Sequence, residues 1–133
     1  MKRGIRLAAQ RRAALIPLAW LVAASACATE SCSDRDERRL AGLVDLVLGE
    51  PGPTADAAED ALVAAGAPAI LYVETGLYDA ESSGRRRLVR VLTRVGDRAA
   101  TPILALLAER DPDPDVRSEA KAGARALEAG SLP

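Results

Sequence analysis

The stretch DPDPDVRSEAKAGARAL, residues 111–127, alternates acids with prolines and then becomes rich in alanine. Asp113 followed by Pro114 is a typical N-cap and first-turn pair, because the carboxylate accepts unpaired amide hydrogens and proline needs no amide partner there. Apolar residues then recur at helical spacing up to Leu127, and Gly130 follows as a stop. The stretch therefore predicts a rigid turn and a helix that packs along one face.

An acidic turn could instead hold calcium. Calcium loops wrap oxygen ligands around a flexible backbone, with a central glycine and a terminal bidentate acid. Pro112 and Pro114 stiffen this turn, and no glycine lies between its acids. We therefore interpret the turn as a structural joint.

Composition narrows the fold class. The chain has 133 residues, of which 49% are hydrophobic and 28% charged, which is the balance of one globular domain. It contains one Trp, two Tyr, no Phe and no His, so its core must be built largely from alanine and leucine, two strong helix formers. We therefore predict an all-α fold with thin, closely packed helices.

The N-terminus has the three parts of an export signal. MKRGIRLAAQRR, residues 1–12, carries five basic residues and no acid, and AALIPLAWLVAASA, residues 13–26, is apolar with small residues at its end. A bilayer needs about 20 apolar residues, and Pro17 interrupts this shorter run. A cleavable signal peptide over residues 1–26 is the preferred interpretation, and a retained membrane anchor is the alternative.

The sequence AASAC, residues 23–27, resembles a bacterial lipobox, in which small residues precede a Cys that becomes the lipidated first residue. Ala24 stands where that family usually has Leu. The resemblance implies lipidation of Cys27 and a lipid anchor in the bacterial cell envelope, with Ala28 favouring the outer membrane. The alternative is ordinary cleavage before Cys27, followed by a disulfide bond between Cys27 and Cys32.

Export would change the charge of the protein. Removing residues 1–26 takes away five of 18 basic residues and none of 19 acidic ones, which leaves a net charge of −6. A net-negative domain with so few aromatic rings lacks both the basic surface and the stacking platforms of nucleic-acid-binding proteins, so we exclude that class. Residues 27–33 are small and polar and are predicted to be a tether, with the folded domain over residues 34–131.

Six helix-length segments follow, each bounded by Gly, Pro or a capping residue. They are predicted to begin near residues 34, 54 or 56, 68, 82 or 83, 101 and 113. Asp56 with Glu59 has the spacing of a capping box, and Ser82 or Ser83 and Thr101 are predicted caps of later helices. Because the connections are short, sequential helices should form antiparallel hairpins.

The helices repeat at a period of about thirty residues. A shift of 30 residues, and then of 32, superposes four apolar or glycine positions of the second, fourth and sixth helices. These positions are Ala58, Ala61, Leu62 and Ala65; Leu88, Val91, Leu92 and Val95; and Ala120, Gly123, Ala124 and Leu127. The shift of 30 also superposes apolar residues of the first and third helices, Leu40, Leu43 and Val47 on Ile70, Val73 and Leu77. The fifth helix carries the apolar residues Ile103, Leu104, Leu106 and Leu107. Alanine-rich helices give some agreement by chance, but agreement of two helix types at one period favours a helical-hairpin repeat present three times.

The segment DPDVRSEAKAGARAL resembles the second helix of a HEAT-type repeat, and VGDRAATPILALLAERDPDP resembles the turn and first helix before it. The resemblance is good over residues 84–127 and weaker upstream, where Gly84-Arg85 replaces the Val-Arg pair. It implies a short right-handed solenoid of about three antiparallel hairpins, with Arg117 bonding carboxylates of the turn or of a neighbour. It also implies a non-enzymatic scaffold that binds another protein, and so short a solenoid could be completed by that partner or by self-association.

The sequence contains few residues that could support catalysis or metal binding. Zinc and hydrolytic sites need ligands or a base that a chain without His lacks, and its two Cys lie close together near the predicted tether. Glu74 or Glu109 could be a pocket acid, although exposed helix-end carboxylates are the simpler interpretation. We therefore assign no catalytic, cofactor or metal site. Because some HEAT-like proteins are lyases that act on bilin chromophores, a lyase or small-ligand carrier is the alternative, and a deep pocket lined by several ionisable groups would support it.

The most basic segment after residue 26 is GRRRLVRVLTR, residues 84–94. Arg86, Arg90 and Arg94 recur every four residues, and like charges at that spacing repel and require compensation. The repeat register predicts Asp56 beside Arg86, Asp60 beside Arg90 and Glu119 level with Arg87. Arg94 aligns with alanines and has no predicted carboxylate. We therefore predict that Arg94, Arg90 and Arg87 bind the partner protein. The predicted structural repeat residues are Asp56, Asp60, Arg86 and Arg117.

Overall fold

The structure, a computed structural model, describes residues 19–130, with side chains from residue 33 onward. Six α-helices and one short 3-10 helix occupy this range, and no strand occurs within it. The helices are α1, Ala19–Leu48; α2, Pro53–Ala65; α3, Ala67–Asp79; α4, Ser82–Val95; α5, Thr101–Arg110; and α6, Pro114–Ala129. The 3-10 helix, Arg98–Ala100, leads directly into α5. The predicted all-α class is confirmed.

The N-terminal predictions fall largely outside the described residues. Residues 1–18 of the predicted signal peptide are not described, and neither are the side chains of Cys27 and Cys32. A compact unit begins at Asp34, the first residue of the predicted domain. The backbone of residues 27–33, predicted as a tether, is helical and belongs to α1.

Glycine and proline set the helix ends where the sequence predicts them. Gly66, Gly96 and Gly130 end α2, α4 and α6, and their φ angles of +70°, +74° and +65° lie in a region that residues with a side chain rarely adopt. Asp113 is the N-cap of α6, and its Oδ1 accepts hydrogen bonds from the amides of Asp115 at 2.7 Å and Val116 at 3.4 Å. These predictions are confirmed.

Three predicted caps are wrong. The chain enters α2 at Pro53 with Gly52 as the N-cap, so Asp56 already lies inside the first turn and forms no capping box. The N-cap of α4 is Glu81, one residue before the predicted serines. Thr101 is the first residue of α5, because the side chain of Asp97 instead caps the 3-10 helix by accepting the Ala99 amide at 2.8 Å.

The predicted repeat positions all face inward. Of the twelve superposed residues in α2, α4 and α6, nine are buried and three are half-buried. In α3, Ile70, Val73 and Leu77 are buried as predicted. In α5, Leu104 is buried, whereas Leu106 is 52% exposed. The four apolar residues of α5 are spread around too much of the helix circumference for all of them to contact the same neighbouring helix.

Glycines allow the helices to approach closely. A Cβ atom on Gly76 of α3 would lie 2.5 Å from Val44 of α1, and one on Gly84 of α4 would lie 2.8 Å from Leu48 of α1. A Cβ atom on Gly123 of α6 would overlap Thr93 of α4. These glycines therefore let the C-terminal end of α1 pack closely on α3 and α4, and they let α4 pack closely on α6.

The helix α4 lies at the centre of the packing, in contact with α2, α3 and α6, and α5 packs on α6. Side-chain contacts between α2 and α4 advance together along both helices, from Asp56–Arg87 to Asp60–Arg94. The contacts of α4 with α6 advance in the same way. Helices α2, α4 and α6 therefore run parallel to one another, side by side.

Candidate functional site

The acidic turn before α6 contains the most buried charge among residues 33–130. The Asp111 side chain is 2% exposed and forms a two-point ion pair with Arg85 at the start of α4. Arg85 Nε donates to Asp111 Oδ2 at 2.7 Å, and Arg85 Nη2 donates to Asp111 Oδ1 at 2.9 Å. Arg85 Nη1 also donates to the Ala80 carbonyl at 2.7 Å. The turn is thereby fixed to the adjacent helix by charge-assisted hydrogen bonds.

Neighbouring groups complete this network. Asp111 Oδ1 accepts the Asp113 amide at 2.9 Å, and the Arg117 guanidinium donates to the carbonyl oxygens of Asp111 at 2.7 Å and Pro112 at 3.1 Å. Arg117 was predicted to bond carboxylates, but it satisfies turn carbonyls instead. Every buried side-chain nitrogen and oxygen within residues 33–130 has a hydrogen-bond partner.

The pKa values of the turn follow from these contacts. Burial alone would raise the pKa of Asp111, but the hydrogen bonds from Arg85 and the Asp113 amide outweigh it and leave the pKa below its ordinary value. Hydrogen bonds from the amide of Asp115 chiefly lower the pKa of Asp113. Hydrogen bonding to Asp111 raises the pKa of Arg85. The network is therefore ionised at neutral pH and serves a structural purpose.

The arginines of α4 divide between its two neighbours. Arg87 and Arg94 are seven residues apart, so they share the side facing α2, where Arg87 pairs with Glu59 at 2.8 Å and Arg94 with Asp60 at 2.6 Å. Arg86 and Arg90 share the side facing α6 and both approach Glu119, at 3.1 and 3.8 Å. These four arginines, which we call the arginine stripe, are thus neutralised by carboxylates of both α2 and α6.

The predicted ion pairs of these arginines are wrong: Asp56 and Glu119 each pair one position away from the predicted arginine, and Asp60 pairs four positions away. Asp56 pairs with Arg87 at 3.1 Å, and Asp60 pairs with Arg94. Equivalent positions on the parallel helices α2 and α4 point in the same direction. The carboxylates of α2 therefore pair with the arginines on the side of α4 that faces α2. The prediction that Arg94 has no internal carboxylate is also wrong.

The three predicted partner-binding arginines differ in accessibility. Arg87 is 12% exposed and also donates to the Val47 carbonyl at 3.3 Å, which places it between α1, α2 and α4. Arg94 is 45% exposed and holds a short ion pair, whereas Arg90 is 51% exposed and its only ion pair within the described residues is 3.8 Å long. Arg90 is therefore the arginine whose guanidinium is most available to another molecule.

An apolar groove lies between α3 and α5. It has a volume of about 510 Å³ and one ionisable lining residue, Glu74. The other lining residues are Ala67, Ile70, Leu71, Ala99, Pro102, Ile103 and Leu106. Leu71 and Leu106 remain 64% and 52% exposed, so two large apolar side chains stand in solvent at this groove, which we call the α3–α5 groove.

A second cavity of about 400 Å³ continues from the α3–α5 groove, because Leu106 lines both. Tyr78, 81% exposed, lies beside it, together with Arg110 and the Arg85–Asp111 pair. The apolar surface therefore extends along α3 and ends at the rigid acidic turn. Exposed apolar residues that are contiguous in this way are typical of protein-binding surfaces.

The α3–α5 groove has one ionisable lining residue, whereas the adjoining cavity is lined by Tyr78, Arg110 and the Arg85–Asp111 pair. Within residues 33–130, no three acidic or cysteine side chains are placed to hold a metal ion together. Glu74 is the single acid of the α3–α5 groove, and Glu109 is exposed on α5 and does not line it. The alternative of a lyase or small-ligand carrier calls for several ionisable groups around one deep pocket, and Glu74 is the one ionisable residue that lines the α3–α5 groove.

The sequence reasoning missed the residues that define this surface. Leu71 and Tyr78 fall between the buried positions of α3, and such a position in the helical period is typical of an exposed side chain. Asp111 was interpreted only as part of a stiff turn, and its pairing with Arg85 depends on the contact between α4 and the turn before α6.

Comparison with family models, with curated proteins and with solved structures gives no match to this chain. Within residues 19–130, no helix combines the length and the apolar character needed to cross a membrane.

Proposed function

We propose that the protein is a non-enzymatic helical-repeat scaffold, anchored in the cell envelope, that binds another protein through the α3–α5 groove. The observation that carries this proposal is the exposure of Leu71 and Leu106 beside a 510 Å³ groove with one ionisable lining residue. Burying such side chains against a partner removes apolar surface from water and stabilises the complex.

The helix packing supports a short solenoid of three hairpins. Helices α2, α4 and α6 lie parallel and adjacent, and their equivalent residues face inward at a spacing of 30 and 32 positions. Parallel neighbours are what stacked antiparallel hairpins would produce for every second helix. A right-handed, HEAT-like arrangement agrees with this packing and with the Asp113–Arg117 turn before α6.

The chemistry of the groove defines the partner segment that we propose. It is an amphipathic segment whose apolar side chains contact Leu71, Ile103 and Leu106. A basic side chain of the same segment would pair with Glu74, the one acid lining the groove. Because Leu71 and Leu106 are exposed in the free protein, binding needs no opening of the core.

Affinity capture tests the partner. The full mature chain is solubilised from envelopes in mild detergent, and its associated proteins are compared with those of the double variant Leu71→Ser, Leu106→Ser. Leu46→Ser is the matched control, because Leu46 is also an exposed leucine, at 46%, but lies on α1 outside the groove. A partner retained by the control and lost by the double variant supports the proposal. Identical captured proteins from both variants contradict it.

The proposed anchor is a lipid on Cys27. Wild-type protein should incorporate labelled palmitate and partition into detergent, and Cys27→Ser should abolish the label or leave the precursor uncut. Cys32→Ser is the control, since that residue lies five positions later and should keep the label. A cleaved wild-type protein that remains fully soluble and unlabelled would contradict the anchor.

A further inference from the structure

The two cavities along α3 and α5 follow both helices in the same order. The α3–α5 groove is lined by the earlier residues of the two helices, within 67–74 and 99–106. The adjoining 400 Å³ cavity is lined by later ones, within 77–78 and 106–112, together with Arg85. Helices α3 and α5 therefore run in the same direction, one along each side of the apolar surface.

Two unpaired charges of opposite sign lie on opposite sides of this surface. Glu74, half-buried, belongs to α3 and lines the α3–α5 groove, and Arg110, exposed, belongs to α5 and lines the adjoining cavity. Within residues 33–130, neither side chain forms a hydrogen bond or an ion pair. Glu109 of α5 lines neither cavity. The α3 side of the surface is therefore negative and the α5 side is positive.

The other charged groups of the adjoining cavity add no net charge to it. Arg85 donates through Nε, Nη1 and Nη2, and both carboxylate oxygens of Asp111 accept hydrogen bonds. This leaves Arg110 as the cation of the cavity that can pair with another molecule. Between the two free charges, the exposed side chains of Tyr78 and Leu106 supply apolar surface.

The positions of the charges define the shape of a complementary ligand. Tyr78 lies in the same cavity as Arg110 and four residues after Glu74, a distance of about 6 Å along α3. The two charges are therefore offset by about one helical turn and separated by the width of the groove. An amphipathic helix that lies in a groove presents its apolar face to the floor and the two edges of that face to the walls.

We infer that the partner segment is a helix whose apolar face is bordered by a basic edge and an acidic edge. The basic edge pairs with Glu74 on the α3 side, and the acidic edge pairs with Arg110 on the α5 side. The apolar face covers Leu71, Leu106 and the ring of Tyr78. This inference rests on the proposed function and adds the acidic edge, the contact with Tyr78 and the charge order across the groove.

The charge order also fixes the direction of the bound helix. Reversing the helix in the groove, with the same face on the floor, exchanges its two edges between α3 and α5. The exchange places the basic edge beside Arg110 and the acidic edge beside Glu74, and both contacts then become repulsive. One of the two possible directions is thereby excluded.

Synthetic peptides test the inference on the full mature chain in lipid nanodiscs. Four stapled helical peptides share one leucine face and differ only in the edges of that face, which carry Lys and Glu, Lys on both, Glu on both, or Gln on both. Fluorescence anisotropy measures their affinities at about 150 mM salt, which screens the charge of the rest of the chain. Wild type should bind the Lys–Glu peptide roughly tenfold more tightly than the Lys–Lys or Glu–Glu peptide.

Charge reversal in the protein should change which peptide binds best. Arg110→Glu should prefer the Lys–Lys peptide, and Glu74→Lys should prefer the Glu–Glu peptide, because each variant makes both sides of the groove alike in charge. Arg125→Glu is the matched control, since Arg125 is an exposed arginine of α6 that lines neither cavity, and it should keep the wild-type preference. Circular dichroism should show the same helix content in all three variants.

Equal affinities of the four peptides for wild type would overturn the inference, and so would variants at positions 74 and 110 that keep the wild-type preference. The Gln–Gln peptide reports on the apolar groove alone, and the Leu71→Ser, Leu106→Ser protein should lose it. Equal affinities together with that loss contradict the charge pairing and leave the proposed function standing. If wild type binds none of the peptides, the inference is overturned, and affinity capture then decides the proposed function.

Discussion

Substitution of Asp111 by Ala should cause the largest stability loss among the charged positions of the acidic turn. The change removes three hydrogen-bond acceptor contacts, two from Arg85 and one from the Asp113 amide. It also leaves the Arg85 guanidinium, 15% exposed, with only the Ala80 carbonyl. Breaking a buried ion pair by deleting one partner costs roughly 3–5 kcal/mol.

Arg85 keeps one carbonyl and some solvent contact, so we expect a loss near the lower limit, about 3 kcal/mol. This is a large part of the roughly 5–15 kcal/mol that stabilises a domain. The melting temperature should fall by roughly 12–24 °C for a domain of this size. Asp111→Asn keeps the shape and some acceptor capacity, so its loss should be smaller.

Urea denaturation followed by circular dichroism at 222 nm measures these losses directly. Asp115→Ala is the matched control, because this acid lies in the same segment, is 74% exposed and approaches Arg86 only at 3.8 Å. Its stability should change by less than about 1 kcal/mol. Equal midpoints for the Asp111 and Asp115 variants would refute the view that the turn is held to α4 by a buried ion pair.

Three further predictions concern pH, glycine packing and the arginine stripe. Because the pKa of Asp111 is lowered in the folded protein, its contribution is complete above the unfolded pKa of about 3.9 and is lost as the pH falls through the folded value. The difference in urea midpoint between wild type and Asp111→Asn should therefore close as the pH falls below about 4, and a constant difference would contradict this. Gly76→Ala should lower the free energy of unfolding by about 1 kcal/mol, because the added Cβ contacts α1. Gly42→Ala has open space around its Cβ and should raise the free energy of unfolding by roughly 0.5–1 kcal/mol. Thermal or urea unfolding measures both changes, and the opposite order would exclude the close approach of α3 to α1. Arg87→Ala should destabilise the protein by roughly 3 kcal/mol and Arg94→Ala by less than about 1 kcal/mol in the same assay, and equal losses would contradict their different burial.

Local features of the sequence predicted the helix ends well. A glycine after an apolar helix favours a positive φ, as at Gly66 and Gly96, and an Asp-Pro pair caps a helix without help from distant residues, as at Asp113. The predicted caps were wrong where a residue of another element made the contact instead. Glu59 pairs with Arg87 on another helix, and Asp97 begins a 3-10 turn before Thr101.

Contacts between helices were predicted less accurately than the helices themselves. A repeat shift identifies equivalent positions, and those positions were indeed inward-facing in α2, α4 and α6. Ion pairs, however, depend on rotation about each helix axis, and one residue corresponds to about 100°. That rotation separates Arg86, which faces α6, from Arg87, which faces α2. Exposure of Leu106 likewise depends on which elements cover α5.

Site-specific photo-crosslinking in living cells tests the protein-binding groove most directly. A photoreactive amino acid is placed at position 106, which lines the α3–α5 groove, and in parallel at position 122, an exposed alanine on α6. Illumination should join a different protein to the chain from position 106 and not from position 122. No product from position 106, a product containing only this chain, or the same product from both positions would contradict it.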